Sequence, residues 1–129
     1  MELNHDLVRY VLLSIESSKQ VTGPSEDELI GAVQKYGSYN KDDIMYTISK
    51  LEEAGFITGN VSYANYKNKP KPMWMTPGNL TYEGHKFLDN VRDDGVWKNT
   101  KATVAKIGNA SLSIMSTVAA NYISNKLGL

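Results

Sequence analysis

The chain has 129 residues, its 14 acids balance 14 bases, 41% of it is hydrophobic, and it contains no cysteine. That length suits one domain of about 100 residues with an appendage. The charge balance excludes a polycation drawn indiscriminately to nucleic acid, and the missing cysteines exclude disulfides and thiolate metal sites.

Charge is unevenly spread. Residues 1–53 carry ten acids and five bases (net −5), residues 54–82 carry three lysines and no acid (+3), and residues 83–129 carry six bases and four acids (+2). The opening Met1-Glu2-Leu3-Asn4 has no basic segment ahead of a hydrophobic run, so no secretory signal is expected and the protein is placed in a reducing cytoplasm.

The first helix is expected from about His5 to Ser17, behind an Asn4 cap, because Leu7, Val8, Val11, Leu12 and Ile15 form an apolar stripe. A polar connection, Ser18 to Pro24, leads to Ser25-Glu26-Asp27-Glu28. There the serine bonds forward and Glu28 reaches back, as a capping box requires. The second helix then buries Leu29, Ile30, Val33 and Tyr36. Gly37-Ser38-Tyr39 connects it to a third helix, capped by Asn40, with Asp42 and Asp43 at the positive end of its dipole. Ile44, Ile48 and Leu51 share the inward face, Met45 lies at its edge, and Gly55 stops the helix near Ala54.

Phe56-Ile57-Thr58 and Val61-Ser62-Tyr63 are β-branched and aromatic, and Pro72 to Thr76 forms a second extended run. An antiparallel hairpin follows, with a tip over 64–71 longer than a tight turn needs. Thr81 caps a fourth helix running to about Arg92, with Leu80, Phe87, Leu88 and Val91 inward. Asp93-Asp94-Gly95 either breaks that helix or caps a continuation through Val96, Trp97 and Val104, and a bend is the expectation. After a weak point at Gly108-Asn109, Ala110 to Lys126 form the last helix.

The order helix, Leu-x-x-x-Gly-Phe-Ile (Leu51 to Ile57), hairpin, Leu-Thr-x-x-Gly-x-x-Phe-Leu (Leu80 to Leu88) resembles the C-terminal two-thirds of a winged helix-turn-helix domain. Leu80 to Trp97 is in addition similar to an uncharacterised family of small bacterial and phage proteins, and that resemblance extends over nearly the whole chain. The resemblance implies an α+β winged helix-turn-helix fold, three helices plus a two- or three-stranded β wing, with a C-terminal helical extension. It implies a phage or mobile-element setting and brings no catalytic residues. The division expected is a winged-helix domain over 1–93 and a helical tail over 94–129.

A winged helix that reads DNA places the second helix of its motif in the major groove. The outward residues there are Asp42, Tyr46, Ser49, Lys50 and Glu53, with Asp43 nearby: three carboxylates against one lysine. Phosphates repel such a face. The hairpin tip is the better candidate, because Tyr63, Asn65, Tyr66, Lys67, Asn68, Lys69 and Lys71 combine cations, amides and aromatics without an acid. The plainer alternative is a solvated loop whose lysines guard the hairpin against edge-to-edge pairing. Two partners follow: double-stranded DNA, bound mainly through the wing by a transcriptional regulator, or a host or phage protein, bound by the acidic face of the third helix.

In the tail, Leu112, Met115, Ala119, Ile123 and Leu127 cluster on one helical face flanked by Tyr122, with Trp97 as a further anchor. A homo-oligomer is the leading expectation, ahead of intramolecular packing. The uncharged run Ile107 to Asn125 is 19 residues long, but its serines and asparagines make it a poor membrane span. His5 and His85 have no second ligand at metal spacing, and no nucleophile constellation or phosphate-cradling loop is visible. No metal, cofactor or catalytic residue is therefore expected.

Overall fold

The computed structural model describes residues 1–129, an α+β chain of six helices and one two-stranded antiparallel sheet. It forms two compact units, Met1–His85 and Lys86–Leu129. The division falls inside a helix, ahead of the 93/94 break at which the sequence suggested a boundary.

The first unit opens with α1 (His5–Glu16), whose Asn4 carboxamide accepts from the Leu7 amide at 3.0 Å. Next comes α2 (Glu26–Gln34), with the Ser25/Glu28 capping box formed in both directions. Then α3 (Lys41–Glu53) starts at Asn40, whose side chain accepts from the Asp43 amide at 2.8 Å. It ends in a paired bond set: the Phe56 amide reaches the Leu51 carbonyl, the Gly55 amide reaches Glu52, and Gly55 sits at φ +77°. That left-handed residue is the reason for glycine there. Helix α1 packs on α2 and α3, and the core is Leu7, Val8, Val11, Leu12, Leu29, Val33, Ile44, Ile48 and Leu51.

Two sequence expectations within these helices are corrected. Met45 is buried rather than at the edge, whereas Tyr36 is exposed and stacks on the Tyr10 ring at 4.7 Å. Tyr36 follows the last turn of α2, at the rim of its contact with α1, where only one side of the ring is covered, by Tyr10.

The hairpin is β1 (Asn60–Tyr66) with β2 (Lys69–Thr76), packed at its base on α3 and, through β2, on α2. The expected long tip is absent. Tyr66 pairs with Lys69 across a two-residue turn in which Lys67 (φ 51°) and Asn68 (φ 64°) are both left-handed, as a type I′ turn demands. The register slips between Ser62 and Tyr63, whose partners are Trp74 and Pro72, so Met73 is the extra residue of a β-bulge. Ile57 makes an isolated bridge to Leu80.

That bridge begins a dense backbone seam. The Thr58 amide donates to Asn79 and the Thr81 amide to Phe56, each at 2.9 Å; the Thr81 hydroxyl donates to the Gly55 carbonyl and accepts from the Gly84 amide at 3.1 Å. A Cβ on Gly84 would lie 2.1 Å from the Phe56 carbonyl oxygen. Gly55, Phe56, Thr81 and Gly84 are thus one constraint: a helix start pressed against the turn that follows α3.

Helix α4 (Tyr82–Val91) begins in the first unit and continues into the second, where Phe87, Leu88 and Val91 are buried. The bend expected after it is real. Asp93 accepts from the Val96 amide at 2.9 Å and starts a separate helix, α5 (Asp94–Ala105). Its partner α6 (Leu112–Lys126) begins at Ser111 rather than Ala110, and Asn90 donates to the Ser116 hydroxyl at 2.9 Å. Residues Asp93 to Val96 share a cleft with Tyr122 to Leu127, so α5 and α6 run antiparallel. No helix is long and apolar enough to cross a membrane.

Candidate functional site

The hairpin carries the most distinctive surface of the first unit. Every residue the sequence singled out there, Tyr63, Asn65, Tyr66, Lys67, Asn68, Lys69 and Lys71, is exposed. The short strands and tight turn bring them onto one slender projection rather than a broad loop. Lys67, Lys69 and Lys71 face no carboxylate, and two of them lie beside an aromatic ring: Lys67 Nζ is 5.4 Å and Lys71 Nζ 5.9 Å from the Tyr66 centroid. Pro70 and Pro72, two apart on β2, stand at positions whose missing donors point away from β1. The outer edge of β2 is therefore poorly suited to another strand.

Two members of this surface were missed by sequence reasoning. Trp74 is 56% exposed and Met73 48% exposed, alongside Tyr63 (57%) and Tyr66 (61%). The period of 2 held the signal, since Met75 alone points inward and Trp74 must then point out.

The hairpin's aim is set at its base. Glu26, the first residue of α2, accepts from the Met75 amide at 2.9 Å through one carboxylate oxygen and lies 3.4 Å from Lys41 Nζ through the other. One side chain ties the starts of α2 and α3 to β2, and no short-range pattern announces it.

The outward face of α3 is different. Asp42 and Glu53 are exposed, while Tyr46, Ser49 and Lys50 are half-buried. Lys50 is 3.0 Å from Glu53, and this bond and charge raise its pKa above the ordinary lysine value. Its Nζ also lies 5.4 Å from the Tyr46 centroid. The single cation of the face is thus neutralised by its own helix. The Tyr46 hydroxyl donates to the Met1 carbonyl at 3.4 Å, and a shallow cavity of about 360 Å³ beside it is lined by Leu3, Asn4, Asp43 and Thr47, with no cation. Residues 1–4 therefore lie along part of this face.

In the second unit the tail residues separate. Trp97, Met115 and Ala119 are buried within the chain, Leu112, Tyr122 and Ile123 are half-buried, and Leu127 is exposed. The stripe offered by α6 is largely covered by α5, so the first three are unavailable as an intermolecular face. For Trp97, Met115 and Ala119 this corrects the expected place in an oligomer interface, while Leu112, Tyr122, Ile123 and Leu127 keep exposed surface. No group of three or more histidines, aspartates or glutamates is placed to hold a metal ion. His5 and His85 are on different helices, and His85 lies 3.7 Å from Glu16.

Residues 2–110 match the family described as Hypothetical protein (DUF2513), a span from before α1 to just short of α6. The chain is also 29% identical over 128 residues to a Haemophilus influenzae protein described as "Uncharacterized protein", covering 98% of this chain and 99% of the relative. No solved structure matches it. With 109 of its 129 residues inside that match, the chain belongs to the DUF2513 family.

Proposed function

We propose that the first unit is a winged helix-turn-helix domain and that the protein is a transcriptional regulator binding duplex DNA mainly through its wing, Asn60–Thr76. The order of three helices followed by a hairpin, with the Ile57–Leu80 bridge at its base, supports the fold. The observation that carries the function is the contrast of charge between two surfaces. Lys67, Lys69 and Lys71 stand on the hairpin with no acid anywhere from 54 to 82, whereas both lysines of α3 are already paired, Lys41 with Glu26 and Lys50 with Glu53. Phosphates supply most of the affinity of such contacts, so the wing rather than α3 holds the backbone. Tyr46 and Ser49 are secondary contacts from α3. Three lysines give modest affinity, and two copies side by side multiply it.

Fluorescence anisotropy with a mixed-sequence duplex tests this across a salt series. Three phosphate contacts per chain give a slope of log K against log salt of about −2.7. Lys67→Glu with Lys69→Glu abolishes binding. Failure to bind at low salt refutes the proposal.

A second reading rests on the same α3 pairing. A net negative face around Asp42, Tyr46 and Glu53 suits a basic protein partner, and the protein is then an inhibitor or adaptor that leaves DNA alone. Asp42→Lys with Glu53→Lys destroys that activity and spares the wing.

A further inference from the structure

The hairpin displays more than a phosphate clamp uses. Lysines suffice to hold a duplex backbone, yet Trp74 and Tyr66 stand more than half exposed beside them and forgo the burial that stabilises such rings elsewhere. The extra residue of the bulge, Met73, lies in β2, so alternation along β1 is unbroken. Ser62, Ala64 and Tyr66 therefore share one face of the hairpin with their partners Trp74, Lys71 and Lys69. The approach of Lys71 to the Tyr66 ring agrees with this placement. At a rise of about 3.3 Å per residue, the path from Ser62 to Tyr66 separates the two rings by about 13 Å along the strand, with Lys71 between them.

Resting on the nucleic-acid reading above, we propose that this face binds an unpaired nucleic-acid strand, with Trp74 and Tyr66 stacking on bases while Lys67 and Lys71 hold the flanking phosphates. In an intact duplex each base covers its neighbour, and only an unpaired strand offers its π-faces to a protein ring. Charge complementarity selects this occupant over an apolar one, because the hairpin that carries the rings has three lysines and no acid. The lysines already beside Tyr66 do not block it. An exposed cation–π contact is weaker than a base–aromatic stack, so an arriving base displaces the ammonium groups toward its own phosphates. The prolines on the outer edge of β2 argue against an added peptide strand there.

The full chain is tested by anisotropy against labelled oligothymidylate and against a blunt mixed-sequence duplex, in the same buffers. Trp74→Ala and Tyr66→Ala are each expected to weaken oligothymidylate binding about tenfold, well beyond any loss of duplex affinity, while leaving its salt slope unchanged. Both rings are on the surface, and circular dichroism checks that each variant is folded. In the wild-type chain oligothymidylate quenches tryptophan fluorescence, and that quenching is lost in Trp74→Ala, where the buried Trp97 remains. Duplex binding with no effect of either ring variant on oligothymidylate overturns this inference alone. Binding to neither nucleic acid overturns the wing reading with it.

Discussion

Two glycine-to-alanine substitutions, both inside helices of the first unit, are expected to have opposite signs. At Gly84 an added Cβ would lie 2.1 Å from the Phe56 carbonyl oxygen and 3.0 Å from its carbon, whereas ordinary contact begins near 3.4 Å. The start of α4 and the turn after α3 must therefore part by more than 1 Å. That shift takes with it the Thr81 amide bond to Phe56 and the Thr81 hydroxyl bond to Gly55. Two hydrogen bonds at about 1 kcal/mol each and overpacking at about 1–3 kcal/mol outweigh the gain of about 1 kcal/mol in helix propensity. Gly84→Ala should thus lose about 2–4 kcal/mol, a large part of the roughly 5–15 kcal/mol typical of a domain. At Gly31, exposed in the middle of α2, no atom lies within 4 Å of the added methyl. Gly31→Ala should gain about 0.5–1 kcal/mol. Urea unfolding followed by far-UV circular dichroism reads both as shifts in midpoint at constant slope. A Gly84→Ala variant as stable as wild type would refute the account of the Leu-Thr-x-x-Gly sequence as a close backbone approach.

Other outcomes follow from the hairpin and from α1. Glu26→Ala leaves the Met75 amide without its acceptor and should cost about 1–3 kcal/mol, with Glu26→Gln costing less; hydrogen exchange at the Met75 amide should accelerate in both. Replacing Lys67-Asn68 by Asn-Gly relieves two left-handed residues and should raise stability by about 1 kcal/mol without altering the turn, as thermal unfolding would show. His5 is half-buried, and burial holds its pKa below 6.5 although Asp6 pulls it upward. The unfolded chain therefore takes up this proton first, so the His5 contribution is complete above pH 6.5 and erodes as pH falls below it. His5→Gln should flatten stability measured between about pH 7 and 5.

The caps and stops were legible in the sequence because they are short-range chemistry. Asn4, Ser25, Asn40 and Thr81 each bond an amide three residues ahead, and the bonds that close α3 around Gly55 span at most five residues. The same holds for the candidate wing, since the absence of acid from 54 to 82 is a property of composition. Tertiary structure decided the remainder. The tight turn at Lys67-Asn68 contains no glycine to announce it and depends on the bulge at Met73, which shifts the pairing by one residue from that of Val61–Met75 and Asn60–Thr76. Trp74 and Trp97 are equally apolar, yet one is exposed opposite Ser62 and the other is buried in the unit that α5 and α6 build. Local pattern sets the conformation of a segment, because its hydrogen bonds lie within a turn. Which side of that segment meets solvent depends on partners tens of residues away, as the Glu26 bond to Met75 does.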